Sequence, residues 1–160
     1  MAAYAPILKI IPSKVSLGCT TIHIYRPEEL EAGQLGYSVS PLGQSLVGDE
    51  AGSWKKSWLV IGYEDACGDP IFVDRSEDGY PVYTAMHGEK SWVPLHVALS
   101  LNSFASALSA LLVVAHAREN PVALEQNPLT PSEKARFLNA IRQQNPKMDL
   151  DFWETLLNNS

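Results

Sequence analysis

The sequence of 160 residues has few cysteines and no close grouping of metal-ligating residues. Its two cysteines, Cys19 and Cys67, are too few for a disulfide framework, so we expect reduced thiols in a cytoplasmic protein. The metal motifs C-x-x-C, H-x-x-x-H and H-E-x-x-H are missing, as are Walker-type and G-x-G-x-x-G glycine motifs. We therefore expect no metal, no cofactor and no nucleotide phosphate site.

Long apolar runs are also missing. The longest candidate, 108–117, is interrupted by Ser109 and His116 and reaches about half the length of a membrane span. The first residues, MAAYAPILKIIPSK, carry no basic segment before their apolar residues, which is unlike a signal peptide. The sequence therefore predicts no membrane association.

Basic residues are scarce in the middle of the chain. The net charge is -6, and residues 61–101 contain seven acidic against two basic residues. Binding to a phosphate backbone needs a basic face, so direct binding of nucleic acid is not expected. The acidic residues either keep the protein soluble or form a surface for a basic partner.

The centre of the chain reads as three short strands joined by turns. SWLVIGYE, PIFVD and YPVYTAMH are separated by EDACGD and by RSEDG, and this pattern is typical of an antiparallel meander. Before it, TTIHIY predicts a strand, PEELEAG predicts one helical turn, and residues 34–53 predict a loop.

The last third predicts helices. One helix is expected from Asn102 to Arg118, another after the capping box in TPSE, and a third over DFWETLLNN with Asp151 and Glu154 as its box. Strands followed by helices indicate an α+β fold. We predict a single domain over residues 1–160, with a central, mainly antiparallel sheet and mostly C-terminal helices packed on one face.

Catalytic and calcium-binding interpretations are weak. Cys67 could act as a nucleophile with His87, and Asp65 with Asp69 could act as acid and base, but no signature surrounds them. A small buried cysteine at a turn is the simpler interpretation of Cys67. DRSEDG resembles the start of a calcium loop but has Ala85 where a Glu is needed, so we read it as a hairpin turn.

Aromatic residues accompany the central acids. Alternation along the strands should leave some of them on an exposed sheet face, where an acidic rim around aromatic side chains suits binding of a basic protein. The candidate partner-binding residues are Asp69, Asp74, Glu77, Asp78, Tyr80, Tyr83 and Trp92.

WLVIGYEDACGDPIFVD and YPVYTAMHGEKSW together resemble the central signature of the SUKH superfamily, the Smi/Knr cell-wall-regulator-like proteins. The resemblance spans residues 57–92, and residues 1–56 lack the opening helices and the Asn-Gly-Gly turn usual in that family. The motif positions with an expected structural role are Trp58, Gly62, Gly68, Asp69, Pro70, Phe72 and Tyr83.

The resemblance implies an α+β fold and a non-enzymatic role. Many bacterial members are regarded as immunity proteins that bind and block a toxin domain, often a nuclease, and fungal members are regulatory interaction proteins. We therefore predict a protein-binding domain whose partner is a basic toxin domain. The alternatives are a regulatory module without a toxin and a hydrolase that uses Cys67 or carboxylates. The sequence leaves the oligomeric state open.

Overall fold

A computed structural model of the chain describes residues 4–88 and 90–159. Glu89, one of the acidic residues counted above, lies outside the described residues. The strands are β1 (Lys14–Leu17), β2 (Thr20–Ile24), β3 (Trp58–Glu64), β4 (Pro70–Asp74), β5 (Val82–Thr84) and β6 (Leu95–Ala98). The helices are α1 (Ala5–Ile10), α2 (Leu101–Ala115), α3 (Pro121–Gln126), α4 (Pro131–Gln144) and α5 (Asp151–Asn159).

The six strands form one antiparallel meander in the order β1 to β6. Strands β3, β4 and β5 are the three predicted from the central motif, and β2 is the predicted TTIHIY strand. The predicted α+β class is therefore confirmed. Strands β1 and β6, four residues each, were not predicted. No helix in the described ranges is long and apolar enough to span a membrane.

Gly62 allows β2 and β3 to approach closely. A Cβ at this position would collide with the backbone carbonyl of His23 on β2. The β3–β4 register also shifts between Val60 and Gly62, which is typical of a β-bulge. The side chain of Gln34 donates to the Val60 carbonyl at 2.9 Å and accepts from its N–H at 3.0 Å. A backbone position at the bulge is thereby fully hydrogen-bonded.

One face of the sheet is covered by helices. Side chains such as Ile22, Ile71 and Val73 are buried against α2, which contributes Phe104 and Leu108. Helices α4 and α5 complete this core, and the indole Nε1 of Trp153 on α5 donates to the Val97 carbonyl at 2.9 Å. The sheet alternates as expected, since Ile71 and Val73 face the helices while Phe72 faces the other way.

The helix boundaries correct several predictions. Helix α2 is capped by Ser100 rather than Asn102 and ends at Ala115. The short helix α3, which was not predicted, begins after Asn120, whose side chain caps it. The Thr130–Glu133 capping box of α4 is confirmed. Helix α5 begins at Asp151, and the N–H of Asp151 donates to Oδ1 of Asp149. The predicted capping box of Asp151 and Glu154 is therefore not formed.

The opposite face of the sheet is covered by the segment 35–57. An aromatic cluster lies beneath it, and we call it the loop-side core: Trp54, Trp58, Val60, Phe72, Tyr83 and Ala85. Trp54, at the end of this segment, is 1% exposed and packs against the Trp58 and Phe72 rings at 5.3 and 4.9 Å. The prediction that this face leaves its aromatic side chains exposed is therefore wrong, because a loop without regular structure buries them.

Candidate functional site

The candidate partner-binding residues predicted from the sequence do not form one patch. Asp74, Glu77 and Asp78 lie at the β4–β5 hairpin, whereas Asp69 lies just before the first residue of β4. Five residues of extended strand separate Asp69 from Asp74 by about 17 Å. A single partner side chain cannot contact both groups, so the two ends of the sheet are separate acidic surfaces.

Two of the hairpin acids are bonded within the protein. Asp74 accepts from the indole Nε1 of Trp58 at 3.1 Å and from the Ser76 hydroxyl at 2.6 Å. Burial alone would raise the pKa of Asp74, but hydrogen bonds from Ser76, Ser57 and Trp58 outweigh it and lower the pKa. The same turn carries the DRSEDG sequence, which resembles the start of a calcium loop, and it forms the predicted hairpin between β4 and β5.

Glu77 is held by Tyr83. The Tyr83 hydroxyl donates to Glu77 at 3.1 Å, and Tyr83 is only 9% exposed. Burial, followed by the hydrogen bond and the charge of Glu77, raises the pKa of Tyr83 to about 12. The ring of Tyr83 is therefore part of the loop-side core, which corrects its assignment to an exposed aromatic patch. Asp78 is exposed at the hairpin.

The other two aromatic candidates are half-buried and lie on opposite faces of the sheet. Tyr80 packs on the helix side, with its ring 5.8 Å from that of Tyr4. Trp92 packs on the loop-side core, 5.2 Å from Trp54. Each ring joins a different hydrophobic cluster, so the two cannot contribute to a common aromatic surface.

The β3–β4 turn is organised around the carboxylate of Glu64. Glu64 is buried, and its Oε1 accepts the N–H groups of Cys67 at 2.8 Å and Asp69 at 3.3 Å. Its Oε2 accepts the Ala66 N–H at 3.0 Å. Gly68 has φ of 76°, a conformation that glycine adopts without strain. The predicted turn at Gly68 and Asp69 before Pro70 is thus confirmed, with a buried carboxylate at its centre that was not predicted.

This turn and helix α5 enclose a cleft of about 280 Å³. We call it the acidic cleft, because Glu64, Asp69 and Asp151 contribute carboxylates and its described lining residues include no Lys, Arg or His. The remaining lining residues are apolar or uncharged: Cys19, Thr20, Ala66, Cys67, Thr84, Leu95, Phe152, Thr155, Leu156 and Asn159. An apolar cleft with carboxylates at its edge suits a ligand that carries positive charge on an apolar stem.

Negative charge is concentrated where α5 begins. The hydrogen bond and charge of Asp149, then burial and the charge of Glu154, raise the pKa of Asp151. Asp149 and Glu154 therefore lie close enough to Asp151 for their negative charges to repel its carboxylate. A positive group from a partner would relieve this repulsion.

Cys67 is exposed, which corrects the expectation of a buried thiol. The charge of Glu64, then burial and the charge of Asp69, raise the pKa of Cys67. These anions disfavour the thiolate that a nucleophile needs. His87 presents its backbone N–H to Asp69 at 2.6 Å, while its ring packs against Tyr37 and Trp92. The described residues therefore show no thiol–imidazole pair of the kind predicted for a hydrolase.

Sequence reasoning missed the cleft because its walls come from segments far apart in the chain. Glu64 ends β3 and Asp69 follows it in the turn, Thr84 ends β5, and Asp151 begins α5. The one visible signal was the pair of acidic residues Asp149 and Asp151 at the start of the last predicted helix. Of these, only Asp151 was interpreted, as part of a helix-capping box with Glu154.

Comparison of the chain with protein-family models, with curated proteins and with solved structures found no match.

Proposed function

We propose that this protein is a non-enzymatic, protein-binding domain that takes a basic partner at the acidic cleft. The class of partner that we favour is a basic toxin domain, such as a nuclease, which the protein would neutralise as an immunity protein. The SUKH-like motif at residues 57–92 supports the protein-binding role. The distribution of charge supports the choice of surface.

The observation that carries the proposal is the composition of the cleft. Three carboxylates from two different parts of the chain border an apolar floor, with no basic side chain among the described lining residues. The volume lies just below the range of about 300 to 1,000 Å³ that holds drug-sized ligands. One lysine or arginine side chain of a partner suits such a cleft, since its stem can pack on Leu95 and Phe152 while its charge reaches the carboxylates.

The charge also gives a reason for fast association. Nuclease domains bind phosphate backbones through basic faces. A negative surface attracts such a face over a distance and raises the rate of encounter. Speed is what an inhibitor of a toxic enzyme requires, because damage accumulates until the complex forms.

The test compares charge removal at the two ends of the sheet. We would purify tagged protein from its own host as the wild type, as the Asp149→Asn/Asp151→Asn double variant and as the Asp78→Asn control. Asparagine keeps the carbonyl that accepts the Asp151 N–H. We expect a stoichiometric basic partner with the wild type and with Asp78→Asn. The double variant should associate with that partner several-fold more slowly at low salt, a difference that shrinks as salt rises.

Equal association of all three proteins would contradict the assignment of this surface. Slower association of Asp78→Asn alone would move the site to the β4–β5 hairpin, as the sequence predicts. A captured partner without toxic activity in cells would assign the regulatory role instead of immunity.

A further inference from the structure

We infer that the β3–β4 turn is a zinc-binding site with Glu64, Cys67 and Asp69 as its protein ligands. One ligating atom from each of these residues lies within 4.8 Å of the others. Tetrahedral zinc needs separations of about 3.3 Å between two oxygens and about 3.5 Å between sulfur and oxygen. Small side-chain rotations at exposed Cys67 and half-buried Asp69 would close that gap. The inference does not depend on the protein-binding role, and the two are compatible, because two carboxylates and a thiolate outweigh the charge of Zn²⁺ and leave the cleft acidic.

The carboxylates retain the capacity to bind an ion. A carboxylate has about four lone-pair sites, and the backbone hydrogen bonds to Glu64 occupy two at Oε1 and one at Oε2. Asp69 accepts the His87 N–H through Oδ1, and Oδ2 is the oxygen that can turn toward an ion. Hydrogen bonds from these backbone N–H groups hold the two carboxylates in a fixed orientation, as the groups around the ligands of a metal site do.

The donor set selects the kind of metal. Calcium and magnesium take oxygen ligands and do not favour a thiol. A thiolate with two carboxylates suits Zn²⁺, which accepts sulfur and oxygen in tetrahedral sites. Binding would release the thiol proton of Cys67 and leave the fourth position for water or for a group from a partner.

A separate observation points to a ligand in the same cleft. Thr84, which lines it, is 7% exposed, and its Oγ1 has no hydrogen-bond partner within the described part of the chain. Buried hydroxyl groups are nearly always hydrogen-bonded, since leaving one unpaired is costly. Thr84 comes from β5 and takes no part in the Glu64 hydrogen bonds. A ligand that carries polar atoms into the cleft, such as water held by the ion, would supply its partner.

The first experiment titrates the purified, reduced protein with Co²⁺ and then displaces it with Zn²⁺. Thiolate-to-cobalt charge-transfer absorption should appear with one equivalent in the wild type and in Cys19→Ser. The Cys67→Ser variant should lack that absorption and bind Zn²⁺ more than about 100-fold more weakly in a competition with a chromophoric chelator. Cys19 lines the cleft but lies outside the ligand set, which makes it a matched control.

The second experiment uses Thr84→Val, a variant of the same shape without the hydroxyl. In chelator-treated buffer we expect it to unfold at an equal or higher urea concentration than the wild type, because it removes an unpaired buried group. Its affinity for Zn²⁺ should nevertheless fall about tenfold. Lower stability with unchanged zinc affinity would show that the hydroxyl only supports the fold, and would remove this part of the inference.

Three results would overturn the site. They are no charge-transfer absorption in the wild type, equal zinc affinity in the wild type and Cys67→Ser, and loss of binding in Cys19→Ser. Circular dichroism of each variant excludes misfolding as the cause. All of these measurements use the isolated protein, so a failure here and a failure to capture a basic partner are distinguishable.

Discussion

At the scale of single residues, acidic side chains have two different roles. Asp74 and Glu77 accept hydrogen bonds from their own chain, whereas Asp151 lies at the edge of a cleft close to other acids. The charge count along the sequence therefore overstates the negative charge that a partner meets at the hairpin. It understates the charge at the start of α5, because folding brings that segment next to the β3–β4 turn.

Tyr83 provides a prediction at alkaline pH. Its folded pKa of about 12 lies above the ordinary value of 10, so the folded state holds the phenolic proton more tightly than the unfolded state. The stability that this proton confers is present below pH 10 and is lost as the pH rises toward 12. We expect Tyr83→Phe to be less stable than the wild type at pH 7, by about 1.5 kcal/mol for the lost hydrogen bond to Glu77. That gap should narrow by pH 11, as measured by urea unfolding.

The matched variant for this test is Glu77→Gln. It keeps an acceptor for the Tyr83 hydroxyl but removes the charge, which contributes to the raised pKa. Its stability should begin to fall at a lower pH than that of the wild type. The pH at which tyrosinate absorbance appears should be lower as well. A gap between wild type and Tyr83→Phe that stays constant from pH 7 to pH 11 would contradict the prediction.

Local signals in the sequence predicted individual turns and caps but not their surroundings. The Gly68–Asp69–Pro70 turn and the Thr130–Glu133 box follow from backbone preferences of neighbouring residues, so a single sequence suffices. Whether the thiol of Cys67 is buried depends on which distant segments pack against the turn, and the structure leaves this thiol exposed. That packing is a long-range contact with no local signature, and the prediction for Cys67 was wrong for this reason.

At the scale of elements, the segment 35–57 acts as a cover for the sheet. It has no named strand and holds its shape through turns such as Ser40 N–H to the Gln44 carbonyl at 2.8 Å. Its glycine and serine content predicted a loop, correctly. The burial of Trp54, which belongs to this segment, could not be predicted, because a loop carries no periodicity that assigns a side chain to a face.

Because this segment covers the sheet, shortening a buried side chain and shortening an exposed side chain within it should change the free energy of unfolding by very different amounts. Trp54→Ala removes a side chain that is 1% exposed and should lower the free energy of unfolding by about 3 to 5 kcal/mol. Leu42→Ala in the same segment, at a side chain that is 86% exposed, should change it by less than about 0.5 kcal/mol. Urea unfolding measures both, and limited proteolysis should cut within 35–57 faster in Trp54→Ala. Equal stability of the two variants would show that the segment does not hold the loop-side core together.

At the scale of the whole molecule, one sheet separates two hydrophobic cores. The core beneath the helices, which includes Ile71, Val73, Phe104 and Trp153, is the helix-side core. It and the loop-side core lie on opposite faces of strands β3 and β4. Alternate residues of the same strand, such as Ile71 and Phe72, belong to different cores. Loss of either core exposes one face of strands that the other core needs, so the two should depend on each other.

Cooperative unfolding of the two cores can be measured with tryptophan fluorescence. The sequence has four tryptophans; Trp153 lies in the helix-side core, while Trp54, Trp58 and Trp92 lie in or against the loop-side core. In Trp153→Phe, fluorescence reports only the loop side, and circular dichroism at far-ultraviolet wavelengths reports mainly the helices. We expect both probes to give the same urea midpoint, because a shared sheet couples the two faces into one transition. An earlier midpoint for fluorescence would mean that the cover over the loop-side core opens independently of the helices. In that case the loop-side core would be a separate folding unit, and the sheet would remain folded on its helices without it.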